Sequence, residues 1–140
     1  MRWMSRLFLL SALAYLLLGL LLQAVQLTDL WLGLNPLAYT VMNMVLQVLL
    51  VGWLTQAAIG LTYRVVITRP RAGTVAWGCL NLGLIAALVG QPLLMLTGGG
   101  PTGELVMAAG LLQVAGGTAF AVDLLAALRG TGKTLNDDGT

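Results

Sequence analysis

Histidine is absent from all 140 residues, cysteine occurs once, and charged residues make up only 9% of the chain. Without histidine the chain lacks the usual ligand for haem, copper and zinc and the usual proton carrier near neutral pH. The lone Cys79 cannot close a disulfide within the chain, and in its apolar stretch it reads as a small buried hydrophobe. Soluble domains carry about 25% charged residues. This shortage, with 59% hydrophobic residues, leaves no composition for a globular domain outside a bilayer. No nucleophile–base pair or metal-ligand cluster stands out. The Gly98-Gly99-Gly100-Pro101 run is followed by no Lys-Ser/Thr, so it reads as a turn and not a phosphate loop. The chain is therefore expected not to be an enzyme.

The few charges that are present are sorted. Arg2 and Arg6 precede the first apolar run, Arg64, Arg69 and Arg71 separate the second from the third, and Arg129 and Lys133 follow the fourth. The connections around Asp29 and Glu104 hold neither lysine nor arginine. Cytoplasmic loops concentrate Lys and Arg, so this pattern predicts four spans with both termini cytoplasmic, in the cell's inner (plasma) membrane. The net charge of +2 does not read as a nucleic-acid footprint, because the basic residues flank apolar spans instead of forming a stripe with aromatics. Anionic headgroups are the expected neighbours, each basic residue being worth about 1 kcal/mol there.

The expected fold is all-α: a four-helix transmembrane bundle, up-down-up-down, in one domain of residues 1–130. Its helices run over about 6–28, 36–64, 74–96 and 103–129, and a polar tail, 131–140, follows. The apolar run Leu7–Leu22 outlasts a secretory h-region, and only Gln23-Ala24-Val25-Gln26 follows it, so it reads as a retained helix and not a cleaved signal. Asn35-Pro36 supplies a cap and a first-turn proline for the second helix. Tyr63 and Arg64 would sit at the inner interface and Trp31 at the outer one. Arg69-Pro70-Arg71-Ala72-Gly73 and Thr97–Gly103 are turns. Thr102 with Glu104 opens the fourth helix, with the carboxylate at the positive end of the dipole.

Polar side chains inside a span face protein or a cavity. Asn43 and Gln47 share a face of the second helix, and Gln47 and Gln113 both lie near the midplane, a candidate Gln–Gln contact. Gln23 and Gln91 come near the outer surface. Gln56 falls half a turn from Gln47 at 100° per residue, so Gly52, Gln56 and Gly60 form a second contact surface opposite Asn43 and Gln47. These amides, with Asn81, read as interhelical glue or as a polar pocket. Ala109, Gln113, Gly116, Phe120, Asp123 and Ala127 share an inward face of the fourth helix. Asp123 on that face is either a structural ion pair, with Arg64 or Arg129, or a proton site. Small residues Ala76, Cys79, Gly83, Ala87 and Gly90 on the third helix, and Ala115, Gly116, Gly117 and Ala119 on the fourth, permit close helix packing, within the chain or with another copy.

Several residues together carry a family resemblance: Gly52-Trp53-Leu54-Thr55-Gln56, Ile59-Gly60 and Tyr63 in the second helix, and Asn81, Gly83 and Gly90-Gln91-Pro92 in the third. With these, and more weakly with Gly110-Leu111-Leu112-Gln113, the chain resembles short stand-alone bacterial relatives of haem–copper oxidase subunit I, nearest its cbb-type and nitric-oxide-reductase-like branch. The resemblance implies a four-helix fragment of a twelve-helix subunit. In that family histidines before the Gly-Trp pair ligate haem. The matching stretch here, Val45-Leu46-Gln47, has none. Met42, Met44, Met95 and Met107 remain as thioethers.

The leading expectation is a non-catalytic membrane subunit or scaffold, without cofactor, packed against partner helices as a homo-oligomer or within a larger membrane complex. A haem- or quinone-binding electron-transfer protein is the alternative. A small dimeric transporter or channel built around Asp123 is a third reading.

Overall fold

The computed structural model describes residues 2–33, 38–67 and 72–137, with side chains for 3–29, 31–33, 41–67 and 72–129. These residues form four long helices. α1 is Arg2–Leu32. α2 joins Ala38–Gln47, a π-helical stretch Val48–Thr55, and Gln56–Val65. α3 is Gly73–Thr97 and α4 is Pro101–Asp137. Each contains 25 to 29 residues long and apolar enough to cross a membrane. The chain is an all-helical, multi-pass membrane protein.

Its outside is what a bilayer requires. Leu10, Leu17 and Leu21 on α1 and Leu111 and Val114 on α4 are exposed. One third of the α2 and α3 spans is buried, against 17% for α1 and 11% for α4. Thus α2 and α3 form the centre, and α4 leans mainly on α3 with most of its circumference bare.

α1 packs along α2 and α3 along α4, and contact between the two pairs is thinner. Within each pair the contact residues climb one helix as they descend the other: Gly19 against Leu49 and Gly60 against Phe8 and Leu9, then Gly90 against Val106, Gly83 against Ala109 and Gln113, and Gly116 against Leu80. The α3–α4 approach is the closest. A Cβ on Gly83 would stand 2.8 Å from the Ala109 carbonyl oxygen, and one on Gly116 would stand 3.0 Å from that of Ala76. Ala76, Gly83, Ala87 and Gly90 are buried and Cys79 is half-buried, so most of the small-residue stripe of α3 is used inside the chain.

Helix ends follow local chemistry. Gly98, Gly99 and Gly100 all have positive φ (72°, 134° and 70°), a region that L side chains rarely adopt. The Gly98 N–H closes α3 on the Leu94 carbonyl at 2.9 Å. Pro101 then starts α4, where a proline N–H would be unpartnered in any case. The Thr102 hydroxyl donates to the Gly99 carbonyl at 2.9 Å and shares a hydrogen bond with Thr97 at 2.8 Å.

Three expectations need revision. α4 does not stop at Arg129 but continues to Asp137, since glycine costs a helix only about 1 kcal/mol where proline costs about 3. α1 starts at Arg2 and ends at Leu32, longer than its apolar run. The second helix is interrupted by the π stretch, across which the Thr55 hydroxyl reaches back to the Leu50 carbonyl at 2.8 Å. The expected Asn35-Pro36 start and most of the Arg69–Gly73 turn lie outside the described residues.

Candidate polar site between the helix pairs

The π stretch decides where the amides of α2 point. Eight residues bonded i→i+5 make about two turns, each taking up roughly one residue more than an α-turn. Everything beyond lags by close to half a turn. In an unbroken α-helix Gln56 would face away from Gln47. Here both reach α3, Gln47 accepting from Gln91 Nε2 at 2.6 Å and Gln56 Nε2 donating to Asn81 Oδ1 at 3.3 Å. Of the expected second surface, Gln56 is thereby brought to the same seam as Gln47, while Gly60 packs on Phe8 and Leu9 of α1. Gly52, at the middle of the wide turns, lets the Tyr15 ring and Leu84 lie on its backbone, where a Cβ would be 2.7 to 2.9 Å from them.

Apart from the Thr97–Thr102 pair at the turn, every described side-chain hydrogen bond between helices joins α1 or α2 to α3 or α4. Starting from the end with Arg6, Arg64 and Arg129, Tyr63 donates to Asp123 at 2.8 Å. Trp77 Nε1 then donates to Ser11 at 2.9 Å. Next, Tyr15 donates to Asn81 Oδ1 at 2.8 Å beside Gln56. Gln47 and Gln91 close the series toward the other end. Within each pair glycine and apolar contacts dominate, and between the pairs apolar packing such as Gly52 against Leu84 is joined by this series of hydrogen bonds.

Asn81, 9% exposed, is the hub: its Oδ1 accepts from α1 and α2 while its Nδ2 donates to the Trp77 carbonyl at 2.7 Å. Asp123, 3% exposed, ties down the opposite end of the seam. The Ala72 N–H, just ahead of α3, donates to both its oxygens at 3.0 and 3.1 Å, so a carboxylate from α4 sits at the positive end of the α3 dipole. Tyr63 lies between Phe8, stacked at 5.4 Å, and Phe120, edge-on at 5.8 Å.

This arrangement bears on several site expectations. Gln47 pairs with Gln91, not Gln113, because Gln113 turns onto Gly83 in the α3–α4 contact. Gln91, late in α3 as expected, is engaged between helices there. Asn43 is exposed, whereas Gln47, one α-helical turn further on, is half-buried against α3. Tyr63, at the end of the bundle that carries Arg64, is buried against α1 and α4. At Asp123 no expectation is overturned: besides any ion pair, its carboxylate accepts from the Tyr63 phenol and the Ala72 amide. The inward face of α4 has Ala109, Gly116 and Asp123 buried, with Phe120 and Ala127 packed against the core. Sequence reading passed over Ser11, Tyr15 and Trp77. Their polar tips within apolar runs were the available signal, since a buried Tyr or Trp usually finds a partner for that tip.

Three amide atoms in this interior are buried without a hydrogen-bond partner: Gln56 Oε1, Gln91 Oε1 and Gln113 Nε2. Met42, Met95 and Met107 are exposed and Met44 is half-buried. Among the described residues no group of three or more His, Cys, Asp or Glu side chains forms a metal site. A shallow groove of about 420 Å³, lined mainly by Leu21, Val25, Asp29, Leu32 and Val41, opens between α1 and the start of α2. Comparison with protein-family models, with curated proteins and with solved structures found no match for this chain.

Proposed function

We propose that the protein is a non-catalytic subunit of the plasma membrane, threaded up-down-up-down with both termini cytoplasmic, that packs against partner helices as a homo-oligomer or in a larger complex. The observation that carries this reading is the use of the interior polar groups. Ser11, Tyr15, Gln47, Gln56, Tyr63, Trp77, Asn81, Gln91 and Asp123 are engaged in holding one helix pair to the other. Interhelical hydrogen bonds of this kind contribute about 0.6 kcal/mol each on average in lipid, so they suit assembly. α4 adds a long apolar face that the rest of the chain leaves bare. The exposed Arg6, Arg64 and Arg129 at one end fit a cytoplasmic side. Extraction in mild detergent followed by native mass spectrometry tests the proposal: masses above the 14.7 kDa chain, from copies or companions, are expected. A bare monomer that crosslinks to nothing in the intact membrane would end it.

Two specific observations favour other readings. Gln113 Nε2 is a buried donor without a partner, the group a quinone carbonyl would accept from, and the family resemblance points the same way. A Soret band or an extractable quinone in the purified protein would move the reading to electron transfer. Asp123 is a buried carboxylate in a membrane span, the usual mark of an ion or proton path. Solute or proton flux in proteoliposomes that Asp123→Asn abolishes would make the protein a transporter.

A further inference from the structure

Gln56 is wholly buried, yet no described protein group donates to its Oε1. Its amide cannot simply be turned over to relieve this. The Trp77 carbonyl only accepts, so Asn81 must point Nδ2 at it. Asn81 Oδ1 then faces Tyr15 and Gln56 and takes a donor from each. Reversing the Gln56 amide would set two acceptors against each other and strand the NH2 group instead. One lone-pair site in the middle of the bundle is thus left over by a chain of constraints that begins at a backbone carbonyl. Buried acceptors in proteins are seldom left so, and an ordered water or a ligand is the usual partner.

We propose that the seam between the helix pairs binds a neutral hydrogen-bond donor, an O–H or N–H group, at Gln56 Oε1. The side chains gathered here, Ser11, Tyr15, Gln56, Trp77 and Asn81, offer dipoles and no formal charge, which selects an uncharged occupant. The nearest carboxylate in the seam, Asp123, is bonded to Tyr63, two turns further along α2 and so about 10 Å away. The wide turns of Val48–Thr55 end where Gln56 begins, and π segments inside helices recur at functional sites. Gln91 Oε1 is a second acceptor of the same kind, about 15 Å along α3, but it belongs to a half-buried side chain. Water is the smallest donor that satisfies the site. The hydroxyl or amide of a small organic molecule is the other source of the same chemistry.

The test uses the full chain in lipid bilayers. Water-edited solid-state NMR reads magnetisation transfer from water protons to the Gln56 side-chain carbonyl carbon, with the fully buried Leu84 as internal reference. A high-resolution structure reports density beside Oε1. Density within hydrogen-bond distance and transfer several-fold faster than to Leu84 are expected, and Gln56→Met should abolish the density. Density without faster transfer assigns the donor to a co-purified organic molecule, identified by solvent extraction and mass spectrometry. Absence of density with transfer no faster than to Leu84, or a Gln56 turned so that a protein group donates to Oε1, overturns the proposal. The wild-type measurement decides even if the variant does not fold.

Discussion

Tyr63 and Asp123 meet at 2.8 Å where the two helix pairs come together, with Phe8 and Phe120 flanking the phenol ring at 5.4 and 5.8 Å. The same carboxylate holds the Ala72 N–H, so three elements depend on one side chain. Asp123→Ala strands two buried donors at about 1–3 kcal/mol each. Tyr63→Phe removes one donor and should cost about 0.6 kcal/mol, at most about 2. Reversible unfolding in mixed micelles is expected to rank Asp123→Ala well above Tyr63→Phe, with Asp123→Asn between them. Equal losses for the first two would mean that the bond to Ala72 contributes nothing.

Glycines on α4 and α3 include two that press on a backbone and others with open space around the missing Cβ. Gly83→Ala and Gly116→Ala drive a methyl against carbonyl oxygens, which cannot rotate away, and should each cost about 1–3 kcal/mol. Gly110 and Gly117 have open space around the missing Cβ. Alanine there should be neutral or stabilising by about 0.5–1 kcal/mol. Thermal unfolding of the four single variants measures the split. A change of oligomeric state in Gly110→Ala or Gly117→Ala, without loss of stability, would identify that face as one between copies.

Asn81 should be worth more than the other uncharged polar residues of the seam. Asn81→Leu leaves the Tyr15 phenol, the Gln56 amide and the Trp77 carbonyl each short of a partner, whereas Ser11→Ala leaves only the Trp77 indole N–H. We expect a loss of roughly 2–4 kcal/mol for the first and below about 1 for the second. Unfolding midpoints in a denaturing detergent series provide the comparison.

Membrane sidedness is open to direct measurement. In a Cys79→Ser background, single cysteines at Arg6 and Arg129 should react with an impermeant thiol reagent only in inverted vesicles. A cysteine at Thr97 should react only in right-side-out ones. Labelling of Arg6→Cys and Arg129→Cys from opposite sides would refute an even number of crossings.

Spans and their approximate ends were legible because bilayer thickness imposes a length and a composition that few other structures need. The inward face of α4 was legible for a related reason: over an unbroken α-helix, spacing alone sets direction. That rule failed in α2. Val48–Thr55 is an ordinary apolar run, and no residue in it announces i→i+5 bonding. The phase of Gln56 was wrong by close to half a turn as a result. Partner choice was the other loss. Gln47 and Gln113 both reach the midplane, but which amide meets which depends on how far α3 approaches α4, and Gly83 takes Gln113 out of competition. Tyr15 and Trp77 were missed because each counts as hydrophobic in composition and reveals its polar atom only when buried, and Ser11 because a single small hydroxyl in an apolar run carries little signal.

Three left-handed glycines reverse the chain between α3 and α4, and so short a connection adds little entropy to closure. These two helices are therefore positioned to zip together as soon as both enter lipid, ahead of any docking with α1 and α2. Until that docking occurs Asn81, Gln91 and Asp123 are presented to hydrocarbon, and relief of that exposure supplies the drive for the final step of assembly. Lengthening or stiffening the glycine link would accordingly slow maturation more than it weakens the finished protein.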